Sequence, residues 1–112
     1  MKKARNQPGL LERLGLTQRV QRAVQVGVGW YTAENWLRVK DAAADAEVFE
    51  ATFDEWEIMA EEALKTMRNA GILPLKVEID AEELLAWCQA HRKPNDGGAR
   101  AQFVAQKLKQ QA

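Results

Sequence analysis

Serine is absent from this sequence, and cysteine and histidine occur once each among its 112 residues. These absences exclude a serine nucleophile and an internal disulfide, because Cys88 has no second cysteine to join. A lone cysteine is typical of proteins in a reducing compartment. Cys88 and His91 share one helix face, but a zinc site needs further cysteine or histidine ligands. We therefore expect a buried cysteine, a histidine near a helix end, and neither a metal nor a cofactor.

Long hydrophobic runs are missing as well. No stretch approaches the ~20 apolar residues that cross a bilayer, and the N-terminal residues lack the apolar core of a secretory signal. Hydrophobic residues make up 46% and charged residues 29% of the chain, which is typical of a folded globular protein. We predict a basic arm or short helix over residues 1–18, a single globular domain over residues 19–112, a cytoplasmic location and no membrane partner.

The charges are segregated along the chain although the net charge is zero. Residues 1–40 carry eight basic and two acidic residues. Residues 41–83 carry three basic and thirteen acidic residues, and residues 84–112 carry five basic residues and one acidic residue. The simpler interpretation is that the basic ends fold against the acidic middle or are solvated beside it. The alternative is that the basic arm contacts an anionic partner while the acidic face contacts a basic one.

Alternating valines predict a strand over about residues 20–30. The apolar residues of one parity are Val20, Val24, Val26, Val28 and Trp30. We expect them to form a buried face, opposite the glutamines and glycines of the other parity. A helix over residues 17–26 stays open as an alternative, because the same segment also fits a period of 3.6.

Four helices are predicted from capping residues that precede segments of helical apolar spacing. The caps are Thr32, Thr52, Asp80 and Asp96. A second strand is predicted over residues 74–79, between the second and third helices. The fold class is therefore α+β and mostly helical, with two short strands packed against about four helices in the order arm–β–α–α–β–α–α.

Two strands joined through a pair of helices most simply pair in parallel, by a right-handed crossover. A sheet of two strands has exposed edges unless helices cover them or another chain extends the sheet. We therefore keep a homodimer formed by edge pairing as a hypothesis.

No catalytic constellation of base, nucleophile and oxyanion donor can be assembled from these residues, so we expect that the protein is not an enzyme. We expect instead a small protein-interaction module, an accessory or regulatory protein, that docks a protein partner through an aromatic and acidic surface. The candidate contact residues are Tyr31, Trp36, Glu57 and Glu61. Tyr31 is the strongest candidate for an exposed contact, because its parity is opposite to that of the buried strand face. The simpler interpretation of such residues is an aromatic core and a solvated helix face.

A nucleic-acid-binding protein is the alternative function. Its phosphate contacts would be the basic residues of the N-terminal arm, namely Lys2, Lys3, Arg5, Arg13, Arg19 and Arg22. The acidic middle of the chain would repel the same polyanion, and no recognition helix or stacking platform is recognisable. We rank this function second.

Overall fold

A parallel pair of strands and four helices make up the described part of the chain, residues 24–111, in the computed structural model. In chain order the elements are β1 (Val24–Trp30), α1 (Ala33–Asp41), a 3₁₀ turn (Ala46–Val48), α2 (Phe53–Asn69), β2 (Ile72–Glu78), α3 (Ala81–Ala90) and α4 (Gly97–Gln111). This order confirms the α+β, mostly helical fold that the sequence predicts. None of these described helices is both long and apolar enough to span a membrane.

The predicted element boundaries need small corrections. The first strand is found from Val24 onward, and residues 20–23 lie outside the described residues. The alternative prediction of a helix over residues 17–26 is wrong for residues 24–26, which belong to β1. Its other residues, 17–23, lie outside the described residues. The second strand begins at Ile72 rather than at Pro74. The arm over residues 1–18 lies outside the described residues.

Local capping accounts for the helix starts. The Thr52 hydroxyl accepts a hydrogen bond from the Glu55 N–H at 3.1 Å, and an Asp80 carboxylate oxygen accepts one from the Glu83 N–H at 2.9 Å. These caps satisfy N–H groups that a helix start leaves without intrahelical partners. Gly71, with φ +83°, links α2 to β2 in a backbone conformation that favours glycine.

The face of β1 that carries Gly27 and Gly29 is covered by α4. The expectation that only the valine face of this strand is buried is therefore wrong. A Cβ built on Gly27 would lie 3.1 Å from Val104 Cγ1, and one built on Gly29 would lie 3.2 Å from Val104 Cγ2. Glycine therefore lets α4 approach the strand closely. On the opposite face, the rings of Trp30 and Trp56 are 5.2 Å apart, so α2 packs there. The two strands thus lie between α2 and α4, while Val24 at the start of β1 is exposed.

The core fills the space between these helices and the sheet. The large side chains that are buried most completely are Val39, Leu64, Val77, Ile79 and Leu84. Val39 belongs to α1, Leu64 to α2, Val77 to β2 and Leu84 to α3, and Ile79 is the residue after β2. Phe103 and Val104 add the contribution of α4. Every described helix therefore buries an apolar side against the same core, and the sheet edges remain at its margin.

Candidate functional site

The hydrogen bonds of β1 determine which backbone groups face away from the sheet. The Ile79 N–H donates to the Trp30 carbonyl at 2.9 Å, and the strands pair in register from Val24 with Ile72 to Trp30 with Glu78. Successive residues of a strand direct their N–H and C=O groups to alternate sides. The even-numbered residues of β1 therefore face β2, and the backbone groups of Gln25, Gly27 and Gly29 face outward. No other strand within residues 24–111 pairs with this outer edge.

The two outer edges of the sheet differ in chemistry. Pro74 is paired in register with Val26, and its backbone nitrogen points away from β1 toward the outer edge of β2. Because proline has no N–H group, this position cannot donate a hydrogen bond to an added strand. Its outward neighbours on β2 are Lys76 and Glu78. Proline and charged residues are devices that discourage pairing at a sheet edge. The outer edge of β1 carries neither of them.

An open groove of about 600 Å³ runs along the outer edge of β1. Its floor is the strand from Gln25 to Gly29, and one flank is Met67 of α2. The α4 flank consists of Ala101, Val104, Ala105 and Leu108. This β1 groove is therefore a strand edge that no other described strand pairs with, between two mainly apolar flanks.

The groove continues into a second depression at the end of β1. Tyr31 and Arg100 line both the β1 groove and a cleft of about 190 Å³. The apolar residues of this aromatic cleft, besides Tyr31, are Val48, Phe49, Trp56 and Met59. Val48 is 62% exposed and Met59 44% exposed. Exposed apolar side chains next to an open strand edge are the features expected of an interaction surface.

Arg100 is the one charged side chain among the residues of segment 24–111 that line the β1 groove, and it is paired within the protein. Its two terminal nitrogens lie 2.9 Å from the two Asp45 oxygens, and one of them also donates to Asn95 Oδ1 at 2.9 Å. The hydrogen bond from Arg100 lowers the pKa of Asp45. Because the carboxylate neutralises the guanidinium locally, the described lining of the groove offers an incoming segment no unpaired charge.

Tyr31 and Trp36 are buried, so the expectation that Tyr31 is an exposed contact residue is wrong. Tyr31 is 9% exposed and its ring lies 5.2 Å from that of Trp56. Burial raises the pKa of its hydroxyl. Trp36 is 3% exposed and packs against Phe49 and Phe53. Strand parity failed to identify an exposed side because helices cover both faces of the sheet.

The other predicted contact residues lie apart from these aromatics. Glu57 and Glu61 are exposed on α2, and a Glu61 oxygen lies 4.0 Å from Lys76 Nζ, beside β2. The four residues therefore do not form one continuous surface, and a binding role for the two glutamates stays a prediction. The basic residues of the alternative function, Lys2, Lys3, Arg5, Arg13, Arg19 and Arg22, lie outside the described residues. Within residues 24–111, fifteen acidic residues outnumber ten basic ones, and nucleic-acid binding by the basic arm stays a prediction.

Cys88 and His91 lie in different surroundings. Cys88 is buried, and burial raises the pKa of its thiol, which opposes thiolate formation. The exposed His91 ring stacks on Trp87, with ring centroids 4.3 Å apart. Among the described residues, no group of three or more histidine, cysteine, aspartate or glutamate side chains is placed to hold a metal ion.

Sequence reasoning predicted exposed sheet edges but did not distinguish the outer edge of β1 from that of β2. The alternating glycines of residues 27 and 29 were a signal, because glycine inside a strand often marks a close approach of another backbone or helix. No protein-family model, curated protein or solved structure matches the chain. Function is therefore inferred from the site alone.

Proposed function

We propose that this protein is a non-enzymatic protein-interaction module whose docking surface is the β1 groove together with the aromatic cleft. The observation that carries the proposal is the outward-facing backbone of Gln25, Gly27 and Gly29 between apolar flanks. A strand edge of this kind is a template for pairing with another chain. Peptide recognition by strand addition uses the same backbone hydrogen bonds for affinity and the flanking pockets for specificity.

The titratable groups at the site support binding rather than catalysis. The hydrogen bond from Arg100 lowers the pKa of Asp45, which keeps this carboxyl ionised at neutral pH. Burial raises the pKa of Tyr31, which keeps its hydroxyl protonated at neutral pH. Neither of these two groups is therefore poised to exchange a proton at the pH of a cell. In this proposal Glu57 and Glu61 lie outside the docking surface and face solvent.

A pair of charge substitutions on α4 tests the proposal. Ala105→Glu places a carboxylate on the groove flank, whereas Gln102→Glu places one on an exposed position of the same helix outside the groove. The tagged full chain, in wild-type and variant forms, is used to recover partners from an extract of the cells that produce it. We expect the Gln102→Glu chain to recover the same proteins as the wild type.

The Ala105→Glu chain should recover these proteins at least about tenfold less, because an unpaired carboxylate is costly to bury in an apolar contact. Circular dichroism establishes that both variants remain folded. Equal recovery by the two folded variants would place the docking surface elsewhere on the molecule.

A further inference from the structure

We infer that the occupant of the β1 groove is a single extended, uncharged segment of another protein, added to β1 as a third strand. This inference rests on the proposed function and specifies the partner's conformation and chemistry.

The backbone of β1 selects an extended segment. Gln25, Gly27 and Gly29 present outward groups at every second residue, a repeat of about 7 Å. The inward-facing groups of an extended strand repeat at the same interval, so three successive positions can pair. A helix cannot make these contacts, because its own N–H and C=O groups are already bonded within it.

Both flanks offer apolar contacts to the segment. On the α4 side a third strand would lie beside Ala101, Val104, Ala105 and Leu108. On the α2 side it would lie beside Met67 and the valines of residues 26 and 28, which alternate with the glycines and so point away from α4. An apolar segment would therefore contact apolar residues on both of its faces.

The charge of the groove selects against a charged segment. Among the described residues that line it, the one charged side chain is that of Arg100, which is 11% exposed and engaged by Asp45. A charged residue at a central position of the segment would lose hydration without gaining a partner. Complementarity to this uncharged surface therefore requires uncharged residues at the positions that enter the groove.

The position of α4 favours a lone segment over a second copy of the chain. Val104 packs directly over Gly27 and Gly29, so α4 lies above β1. If two copies paired through their β1 edges, the strands would be about 4.8 Å apart. Their α4 helices would then be forced well inside the 8–10 Å at which helices typically pack. A single strand carries no such helix.

Selection of phage-displayed random dodecapeptides on the immobilised full chain tests the inference. We expect the wild type to enrich extended apolar peptides that carry no charge at their central positions. The Ala105→Glu chain should not enrich them, and the Gln102→Glu chain should. If the wild type enriches nothing beyond the Ala105→Glu chain, the proposed function itself fails.

The enriched peptide is then synthesised and added to the ¹⁵N-labelled chain. We expect hydrogen exchange of the Gly27 and Gly29 amides to slow at least tenfold on saturation. Binding should also weaken about fivefold more in Gln25→Pro than in Gln25→Ala, because proline removes one outward hydrogen bond worth about 1 kcal/mol. Enriched peptides of helical spacing, unchanged amide exchange, or a dimer of this chain that protects the same amides would overturn the third-strand inference alone.

Discussion

Asp45 and Arg100 form a two-point ion pair, with both nitrogen–oxygen distances at 2.9 Å. Asp45 also accepts a hydrogen bond from the Gly97 N–H at 2.9 Å, at the first residue of α4. The pair therefore ties the segment before the 3₁₀ turn to the helix that forms one flank of the β1 groove. The shape of that groove depends on where α4 begins.

Replacing Asp45 by asparagine should destabilise the fold. Asp45→Asn leaves the Arg100 guanidinium, which is 11% exposed, without its counter-charge. Hydrogen bonds to charged groups stabilise by about 1.5–3 kcal/mol, so we expect a loss of about 2 kcal/mol in the free energy of unfolding in urea. Glu82→Gln is the control, because Arg38 and Glu82 form an exposed pair at 3.7 Å. Glu82→Gln should lower the free energy of unfolding by less than about 0.5 kcal/mol. Equal losses in the two variants would show that the Asp45–Arg100 pair stabilises no more than an exposed pair does.

The contribution of Asp45 should depend on pH. Arg100 lowers the pKa of this carboxyl in the folded state. A lowered pKa contributes stability above the ordinary carboxyl pKa of about 4, and this stability is lost as pH falls through the lowered value. The difference in unfolding free energy between wild type and Asp45→Asn should therefore shrink on acidification below about pH 4. A difference that is constant from neutral to acid pH would contradict the assigned cause.

Substitution of Gly29 tests the close approach of α4 to β1. A Cβ at Gly29 would lie 2.6 Å from Ile79 Cδ1 and 3.2 Å from Val104 Cγ2. We expect Gly29→Ala to lower the free energy of unfolding by about 1–3 kcal/mol through overpacking. Gly98→Ala is the matched control, because its nearest atom is at 3.7 Å and alanine favours the helix. In thermal unfolding, the melting temperature of Gly29→Ala should lie below that of the wild type and that of Gly98→Ala above it. Equal melting temperatures of the two variants would argue against the tight contact between α4 and β1.

Tyr31 allows a direct optical test of burial because it is the only tyrosine in the chain. Its raised pKa means that the neutral form is favoured in the folded state. Stability should therefore be unaffected by this group below about pH 10 and should fall as pH rises above that value. Tyrosinate absorbance of the folded chain should develop at higher pH than that of the urea-unfolded chain. Coincident titration curves would show that Tyr31 is solvated.

The helix starts could be predicted from sequence because their signals are local. The Thr52 and Asp80 side chains bond to backbone groups three residues along, so the residues that form each cap are neighbours in the sequence. The strands were also predicted, because alternation of apolar residues does not depend on what packs against them.

The β1 groove could not be predicted in the same way. Alternation shows which residues of β1 share a face, but it does not show that α4 covers the glycine side or that Tyr31 is buried. The outward direction of Gly27 and Gly29 follows from the pairing of Val26 with Pro74, and that register is a tertiary relationship. The difference between the two sheet edges therefore becomes visible only when the strands are paired.

Amide hydrogen exchange along β1 shows directly whether the outer edge of the strand is open. The ¹⁵N-labelled full chain is measured at two concentrations tenfold apart, so that self-association is detected. The outward amides of Gln25, Gly27 and Gly29 should exchange rapidly, and those of Val26, Val28 and Trp30 should be protected at least a hundredfold more. Equal protection of both sets at the two concentrations would show that the outer edge of β1 is already covered within the protein. That result would contradict the proposed docking surface.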